Sequence, residues 1–216
     1  ADATPDQVIN AGVAEQNMTG MAAGIAMAGA KVFTYSIANF PTLRCLEQIR
    51  NDVVYHKADV TVVAVGGGLA YGALGMSHHA TEDLAVMRSI PGLAVAAPGD
   101  PMEVDAVLDD LLANGGPAYL RLGKAGEPTV HEQTLRFKRG DMVTLRDGDD
   151  LALLSTGGML PTTVEVAEQL DAQGISTAVV SVPWIAPFDA GSITELAARH
   201  PLLVTIEEHS VQGGLG

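Results

Sequence analysis

A glutamate near the start of the chain stands where a reactive carboxylate could act. Residues 10–17 read Asn-Ala-Gly-Val-Ala-Glu-Gln-Asn and lead into Ala14–Ala28, whose apolar residues follow a helical spacing. This spacing places Glu15 and its neighbouring amides at the start of a helix. Glu15 could exchange a proton with a ligand there. Alternatively, it only complements the positive end of the helix dipole.

The second candidate is a glycine-rich loop that ends in two histidines. Residues 66–79 contain five glycines and finish with His78 and His79. Since glycine has no side chain, the backbone at Gly67 and Gly68 could approach a cofactor closely, although tight turns use the same residue. Adjacent histidines rarely face one metal ion and a third ligand is not evident, so we favour histidines that line a pocket.

Two further loops follow predicted strands. Ser36–Pro41 contains Phe40, which is either a core residue or a stacking platform for a ligand. Residues 207–209 read Glu-Glu-His and could carry out acid–base chemistry, or form a solvated loop end. In an open α/β sheet, ligands bind at the carboxyl ends of the strands. All four loops are therefore candidates for one site.

Strand-like and helix-like patterns alternate along the whole chain. Strands are predicted at Lys31–Ile37, Val60–Val65, Leu93–Ala97, Ala118–Leu122, Ser176–Val182 and Leu202–Ile206. Helices are predicted at Ala14–Ala28, Leu43–Val54, Thr81–Ser89, Pro101–Ala113, Pro161–Gln173 and Gly191–Ala198. This alternation predicts an α/β fold with two three-layer α/β/α units and mostly parallel sheets.

The polar, irregular segment Lys124–Phe137 is the predicted connection between the two units. Met142–Ser155 is predicted to form a β-hairpin that turns at Asp147-Gly148. We divide the chain into a first unit, a linker with the start of the hairpin, and a second, incomplete unit: residues 1–135, 136–150 and 151–216.

Composition narrows the possible partners and setting. The chain is 47% hydrophobic and 18% charged, which supports a sizeable core, and its net charge of −14 disfavours nucleic acid. Cys45 is the single cysteine, so an internal disulfide is excluded and a reduced, cytoplasmic setting fits. No apolar run is long enough to predict a membrane span. Ala1–Gln7 and Gly213–Gly216 read as cut ends of a longer sequence.

Four segments, in order, resemble the transketolase family. NAGVAEQNM at residues 10–18 resembles the helix entry of the family's pyrimidine-binding domain, and residues 32–51 resemble the segment that follows it. SHHATED at residues 77–83 also fits that domain, and IEEHSVQGGLG at residues 206–216 is similar to the family's C-terminal domain. The wider family includes deoxyxylulose-phosphate synthase and the beta subunits of 2-oxoacid dehydrogenase decarboxylases.

The resemblance implies roles for several residues. In this family, a glutamate at the position of Glu15 shares a proton with the aminopyrimidine ring of thiamine diphosphate, since a carboxylic acid shielded from water keeps its proton more readily. An aromatic ring commonly stacks on that pyrimidine; alignment puts Ile37 at this place, with Phe40 three residues on. His78 matches a histidine that hydrogen-bonds substrate oxygens. Glu82 would hold the local structure or a neighbouring subunit.

The chain also departs from transketolases proper. They carry His-Asp-Ser where this chain has Gly66–Gly68, and an acidic residue where it has Leu74. Their phosphate-binding arginine is Lys124 here, a less specific point charge. The resemblance therefore leaves a phosphorylated ketose donor open. We take His79, Lys124 and His209 as further candidates for substrate binding.

A motif that the family uses to hold the cofactor's diphosphate is missing. Members bind the diphosphate through Mg²⁺, or Ca²⁺, with a Gly-Asp-Gly…Asn motif in a separate domain. Gly140-Asp141 and Gly148-Asp149 lack this pattern. The resemblance thus implies an alpha-like partner subunit that carries the metal and the diphosphate, in a dimer or heterotetramer, with the cofactor between chains. The small-residue helix Ala14–Ala28 is either a contact surface for that partner or part of the core.

Three functions remain open from the sequence. The first is a subunit of a thiamine diphosphate-dependent transketolase-like transferase, which moves a two-carbon ketol unit from a ketose-type donor to an aldehyde acceptor. The second keeps the cofactor but decarboxylates a 2-oxoacid and transfers an acyl group, in line with the missing sugar-binding groups. The third is a non-catalytic scaffold. Glu15 argues against the scaffold, because such a protein has no use for that carboxylate.

Overall fold

The computed structural model describes residues 4–216, which form two α/β units around separate sheets. Residues 1–3, part of the predicted cut end, lie outside the described chain. The strands are β1 (Val32–Ile37), β2 (Val60–Val65), β3 (Ala94–Ala96), β4 (Ala118–Leu122), β5 (Val143–Arg146), β6 (Leu151–Ser155), β7 (Thr177–Ser181), β8 (Trp184–Ala186) and β9 (Leu203–Ile206). The α-helices are α1 (Glu15–Met27), α2 (Asn39–Thr42), α3 (Leu46–Gln48), α4 (Asp83–Arg88), α5 (Pro101–Asn114), α6 (Leu160–Asp171) and α7 (Ala190–Arg199). The predicted α/β class with mostly parallel sheets is confirmed.

The first sheet brings two of the candidate loops, those after β1 and β2, to one edge. Its strand order is β1-β2-β4-β3-β8, and the first four strands run parallel. Ile37 pairs with Val65, and Val65 pairs with Leu122, so β1, β2 and β4 end level with one another. Because parallel strands share one carboxyl edge, the loops after them open on the same side of the sheet.

The second sheet contradicts the predicted hairpin at Met142–Ser155. Its order is β5-β7-β6-β9, so β5 pairs antiparallel with β7 rather than with β6. β6 is the apolar run Leu151–Ser155, buried almost throughout, and it lies between two parallel neighbours. The more polar Val143–Arg146 is only partly buried and takes the edge. Burial of β6 on both sides outweighs the local turn signal.

A short strand that the sequence did not predict joins the second unit to the first sheet. β8 pairs antiparallel with β3, with Trp184 opposite Ala96. The Trp184 side chain is fully buried. The chain therefore leaves β7 in the second sheet and adds an edge strand to the first before it returns to α7.

Helix α1 packs its small residues against the chain's own core. Its buried residues after Glu15 lie on one face: Thr19, Ala22, Ala23 and Ala26. Small side chains let this face approach β1 closely. Met21 and Met27 lie elsewhere on the helix and are exposed. Core packing thus accounts for the buried face of the helix.

One other segment differs from the sequence prediction. The helix predicted at Leu43–Val54 begins at Leu46 as α3 and continues as a π-helical turn over Ile49–Val54. In the described part of the chain, no helix has both the length and the apolar character needed to cross a membrane.

Candidate functional site

Glu15 is the first residue of α1, and its carboxylate lies beside an arginine. The side chain is 10% exposed, and Oε2 accepts a hydrogen bond from Arg44 Nη1 at 3.0 Å. Arg44 is 48% exposed and lies between α2 and α3. The positive end of the helix dipole also attracts a carboxylate at this place. Glu15 is therefore buried except at the edge where it meets a half-exposed cation.

Arg44 connects Glu15 to two other predicted site residues. The Arg44 Cζ atom lies 4.7 Å from the centroid of the Phe40 ring. The Phe40 ring also meets the His78 ring edge-on, with centroids 5.1 Å apart and an interplanar angle of 65°. We call Glu15, Arg44, Phe40 and His78 the Glu15 cluster. It joins the loop after β1, the glycine-rich loop and the start of α1.

Backbone and side-chain contacts hold the two loops of this cluster together. Asn39 Nδ2 donates to the Ser77 carbonyl oxygen at 2.7 Å, which ties α2 to the glycine-rich loop. Ser77 Oγ lies 3.0 Å from His78 Nδ1. Ile37 ends β1 and is partly buried, whereas Phe40 makes the direct contacts with Arg44 and His78. The geometry thus favours Phe40 as the ring next to Glu15.

An open groove runs past the cluster on the side of Arg44. It has a volume of about 530 Å³. Residues of α1, of the segment after α2, and of the π-helical turn line it: Gln16, Leu43, Arg44, Leu46, Glu47, Arg50 and Asn51. A ligand or another chain can therefore reach the Arg44 guanidinium from solvent.

The space beside Gly67 and Gly68 is filled by the protein's own side chains. A Cβ atom at Gly67 would overlap Arg121 Nε, and one at Gly68 would lie 2.6 Å from Glu208 Cβ. Gly68 also has a φ of +62°, which favours glycine. Close approach of Arg121 and Glu208 accounts for both glycines. Their contact with a cofactor stays a prediction.

Arg121 ties three parts of the molecule together from within β4. Its side chain is 7% exposed. Nη2 donates to the carbonyl oxygens of Glu208 at 2.8 Å and Ala80 at 3.4 Å, and Nε lies 3.5 Å from Asp83 Oδ2. The guanidinium thus joins the glycine-rich loop, the start of α4 and the loop after β9.

A small cavity of about 70 Å³ lies where the two units meet beside Arg121. Residues of both units line it, among them Gly67, Glu127, Gly157 and Glu208. Burial raises the pKa of the Glu127 carboxyl, and the nearby Glu208 carboxylate raises it further. Two carboxylates in the wall make this cavity unfavourable for an anion such as a diphosphate.

Two predicted substrate residues lie on the rim of the glycine-rich loop rather than in the cluster. His79 Nε2 donates to the Gly72 carbonyl oxygen at 3.3 Å. Lys124 is exposed, and its Nζ lies 5.6 Å from the centroid of the Tyr71 ring. Their contacts among the described residues do not join them to Glu15. Substrate binding by either residue stays a prediction.

His209 and Glu82 also make their contacts outside the cluster. The His209 Nε2 atom accepts from the Ala85 backbone N–H at 3.3 Å, and Nδ1 donates to the Ser210 carbonyl oxygen at 2.8 Å. Both ring nitrogens therefore bind the backbone. Glu82 is exposed and accepts a hydrogen bond from Thr81 Oγ1 at 3.1 Å.

Sequence reasoning assigned no role to Arg44 or Arg121. Arg44 gave only a weak signal: it lies four residues after Phe40, a spacing at which side chains meet on a helix, but Phe40 precedes the predicted helix. Arg121 gave a stronger one, since it stands inside the apolar strand Ala118–Leu122, where a charged residue needs a buried partner. Across residues 4–216, no three or more His, Cys, Asp or Glu side chains group so as to hold a metal ion.

Comparisons with known proteins match both parts of the chain. The family model described as "Transketolase, pyrimidine binding domain" matches residues 1–127, and the one described as "Transketolase, C-terminal domain" matches residues 140–216. The chain is 37% identical over 213 residues to one of the subunits of an apulose-4-phosphate transketolase from Phocaeicola vulgatus, covering 98% of this chain and 68% of that protein. It is 36% identical over 212 residues to a 6-deoxy-6-sulfo-D-fructose transketolase subunit of a Clostridium species, covering 98% and 66%.

A solved structure shows the same fold over the whole chain. It is described as a split gene transketolase, inactive beta4 tetramer, and superimposes with a TM-score of 0.91 at 38% sequence identity. The match covers 100% of this chain and 70% of the other. With both family models in order along the sequence, the chain belongs to the transketolase family, of which it carries the pyrimidine-binding and C-terminal domains.

Proposed function

We propose that this chain is the pyrimidine-binding subunit of a split, thiamine diphosphate-dependent transketolase-like transferase. It moves a two-carbon ketol unit from a ketose-type donor to an aldehyde acceptor, together with a partner subunit. One observation carries the proposal: the Glu15 carboxylate is 10% exposed and pairs with Arg44, whose guanidinium lies over the Phe40 ring, in a chain of this family. Relatives named as subunits of transketolases support the same activity.

The residues around Glu15 fit an aminopyrimidine ring. Its carboxyl group can share a proton with a ring nitrogen, and the face of Phe40 provides a surface for stacking. Ile37 is the second candidate for that surface. In this structure the planar Arg44 guanidinium occupies both of these surfaces: it donates an N–H to Glu15 and lies over the Phe40 ring. We propose that the pyrimidine takes the place of this guanidinium.

Each residue of the cluster has a separate task in this proposal. Glu15 holds a proton at its carboxylate against the ring nitrogen, in a site that excludes most water. His78 orients a substrate oxygen, because its half-buried ring meets Phe40 edge-on and its imidazole can donate or accept a hydrogen bond. When bound, the cofactor supplies the carbon nucleophile and the electron sink. We also propose substrate contacts for His79, Lys124 and His209. The structure supports these less than it supports His78, since their contacts lie outside the Glu15 cluster.

The partner would complete the site. Exposed apolar side chains lie in the segments that bear the cluster: Val13, Leu43, Leu74 and Met76. Exposed apolar residues around an incomplete site are typical of an interface. The related split gene transketolase is described as an inactive tetramer of beta chains. We propose that an alpha subunit covers this face and binds the diphosphate through Mg²⁺ or Ca²⁺, in a dimer or heterotetramer.

The division of the chain and its setting are part of the same proposal. We assign residues 1–135 to the pyrimidine-binding unit, 136–150 to the linker and 151–216 to the second unit. Cys45 is a buried thiol without a disulfide partner in the chain, which fits a reduced, cytoplasmic setting.

The proposal is tested by reconstitution. The chain is mixed with an alpha-like subunit from the same genome, thiamine diphosphate and Mg²⁺, and supplied with hydroxypyruvate or a ketose phosphate and an aldehyde acceptor. We expect ketol transfer by the mixture and by neither protein alone. Glu15→Gln should lower kcat by about 10²- to 10³-fold. Glu195→Gln, an exposed glutamate of the second unit, is the matched control and should leave kcat unchanged.

Each other outcome points to a different function. Turnover of pyruvate alone would favour the 2-oxoacid decarboxylase over the transferase. Failure of the mixture to bind the cofactor, measured by calorimetry, would leave only the scaffold. Full activity of Glu15→Gln would show that the assignment of Glu15 is wrong.

A further inference from the structure

A buried hydroxyl in the middle of the first sheet connects the two loops of the Glu15 cluster. Tyr119 lies on β4, the central strand, and is fully buried. Its hydroxyl donates to Asp83 Oδ2 at 2.7 Å, and Thr42 Oγ1 lies 3.1 Å from the same hydroxyl. Thr42 and Asp83 are each at most 2% exposed. Three polar side chains thus meet in the core.

The partners of this hydroxyl belong to the two segments that bear the cluster. Thr42 is the last residue of α2, which also contains Phe40 and leads to Arg44. Asp83 is the first residue of α4, a few residues after His78. The Tyr119 hydroxyl is therefore the point at which the support of Phe40 meets the support of His78.

The direction of the bond between Tyr119 and Asp83 is set by the carboxylate. The Asp83 carboxylate only accepts, so the single Tyr119 proton goes to it. The single Thr42 proton has two acceptors within reach, the Ala38 carbonyl oxygen and the Tyr119 oxygen, and is shared between them. Burial and the Asp83 carboxylate both raise the pKa of the Tyr119 hydroxyl well above its usual value. Tyr119 thus keeps its proton over the whole working range of pH.

Burying the Asp83 carboxylate lowers the stability of the core, so this group is expected to have a role beyond packing. Asp83 Oδ1 has no hydrogen-bond partner among the described residues, and Asp83 relies on Tyr119 and Arg121 for compensation. A phenylalanine and an apolar residue would fill the same space without buried charge. Buried polar groups of this kind fix one arrangement of the elements that carry them.

We propose that Tyr119 is a positioning residue: its hydroxyl holds α2 and the start of α4 in register, and thereby sets the distance between Phe40 and His78. Asp83 is its partner on the His78 side, and Thr42 its partner on the Phe40 side. Arg121 extends the chain of contacts to the loop after β9 through the Glu208 carbonyl oxygen. The importance of the Phe40–His78 distance rests on the proposed function, but the structural link does not.

Hydrogen exchange of the full chain tests the link without any activity. Three amides report on it, each with a backbone acceptor: Leu43, bonded to Asn39; Ala80, bonded to Gly68; and Ala152 of the second sheet, bonded to Leu202. Tyr119→Phe should speed exchange at Leu43 and Ala80 by about 10- to 100-fold, the range of a buried hydrogen bond to a charged group. Exchange at Ala152 should not follow.

Two further variants separate positioning from general loosening. Thr42→Val keeps the shape but removes the contact with Tyr119 and the bond to the Ala38 carbonyl oxygen, both on the Phe40 side, so Leu43 should exchange faster and Ala80 should not. Tyr35→Phe removes a hydroxyl from an exposed tyrosine of the same sheet and should change neither amide. If Tyr119→Phe changes no loop amide, or speeds all three amides equally, the proposal is wrong. If Tyr119→Phe fails to fold, Thr42→Val alone decides, by the ratio of Leu43 to Ala80.

A kinetic measurement on the reconstituted complex deepens the test. Tyr119→Phe should lower kcat for hydroxypyruvate by about 10-fold and leave the KM nearly unchanged, because the cluster is displaced and not removed. An unchanged kcat beside altered exchange would overturn the functional half of the proposal. If the wild-type mixture consumes no donor, the proposed transferase fails, while the exchange result still decides whether Tyr119 positions the loops.

Discussion

Two carboxylate clusters in this chain use the same residue types but leave their carboxylates in different situations. In the Glu15 cluster, the carboxylate binds one cation, Arg44, whose side chain is 48% exposed. In the second cluster, the side chains of Asp100, Glu103 and His131 are all at most 7% exposed. The first meets solvent at one edge, and the second is enclosed.

Backbone N–H groups fill both oxygens of Asp100, the carboxylate at the centre of the enclosed cluster. Asp100 Oδ1 accepts from the Glu103 N–H at 2.9 Å and caps α5, while Oδ2 accepts from the N–H groups of Val130 and His131, both at 2.9 Å. His131 Nδ1 lies 3.0 Å from Asp100 Oδ2. Glu103 Oε2 accepts from the Gly99 N–H at 2.6 Å. These bonds fasten the linker to the start of α5.

The difference lies in what remains available for a ligand. A carboxylate that is filled by N–H groups of the fold cannot change partners without breaking the fold. A carboxylate paired with one half-exposed side chain can exchange that partner at small cost. Burial and charge alone would rank Asp100 above Glu15, so availability is what identifies the candidate site.

Removing Glu15 should have the largest effect, and on activity only. In the reconstituted complex, Glu15→Ala should lower kcat by about 10³-fold, because proton exchange with the pyrimidine is lost. The thermal midpoint of the chain should stay within about 2 °C, since the ion pair with Arg44 is half exposed. Calorimetry and steady-state kinetics measure the two. A large fall in the midpoint would remove the distinction between the clusters.

Removing the Asp100 carboxylate should lower stability and leave activity nearly unchanged. Asp100→Ala should lower the free energy of unfolding by about 3 kcal/mol, because the helix cap and the two linker hydrogen bonds are lost together. Urea unfolding measures this, and kcat at low temperature should stay within about twofold. Asp189→Ala is the control, since Asp189 caps α7 through Ser192 N–H near the surface and should cost less. An equal loss in both variants would contradict the comparison.

Two carboxyl groups of the enclosed cluster, Asp100 and Glu103, should change the free energy of unfolding with pH in opposite directions. Burial alone raises the pKa of the Asp100 carboxyl, but hydrogen bonds from the N–H groups of His131, Glu103 and Val130 lower it below its usual value. Its contribution is therefore present above about pH 4 and is lost as pH falls through the folded-state pKa. Burial raises the pKa of Glu103. Its contribution is present below about pH 4.3 and is lost as pH rises through the folded-state pKa.

Glu103→Gln separates these two contributions. The variant has no charge to bury, so its stability relative to the wild type should rise as pH increases from about 4.3 through the folded-state pKa of Glu103. Urea unfolding at several pH values in this window measures the difference. A difference that does not change with pH would show that Glu103 has an ordinary pKa.

Removing Arg44 should have the smallest effect. Arg44→Ala should tighten binding of thiamine diphosphate to the complex by about 2- to 5-fold, because the pyrimidine no longer displaces a half-exposed ion pair. Isothermal calorimetry measures the Kd. Arg50→Ala is the matched control, since Arg50 lines the same groove and donates to Asn51. Weaker binding would show that Arg44 stays in the site as a cofactor contact.

The sequence predicted most of the elements because their signals were local. β2 is an apolar run, and α5 begins at Asp100-Pro101 with a capping carboxylate and a proline in the first turn. The β5–β6 hairpin was wrong because strand pairing depends on the whole sheet and not on the turn between two strands. β8 was missed because its three residues gain their partner from β3, far away in the sequence.

The candidate site likewise contains residues that local motifs predicted and residues that only the packing reveals. Glu15, Phe40 and His78 were predicted from motifs that lie within single segments. Arg44 joins them only when α1 and the loop after β1 are packed together, which no local pattern shows. Gly67 and Gly68 illustrate the converse: the motif was plain, but only the structure shows Arg121 and Glu208 against them.

The pairing of β8 with β3 bears on how this protein can be divided. The boundary between the two matched family domains suggests two pieces that could be produced separately. A piece that ends near residue 135 would lack Trp184–Ala186 and leave the hydrogen-bonding edge of β3 bare. A bare strand edge recruits strands from other chains, so the isolated piece should aggregate. The two domains should accordingly melt in a single transition rather than one after the other.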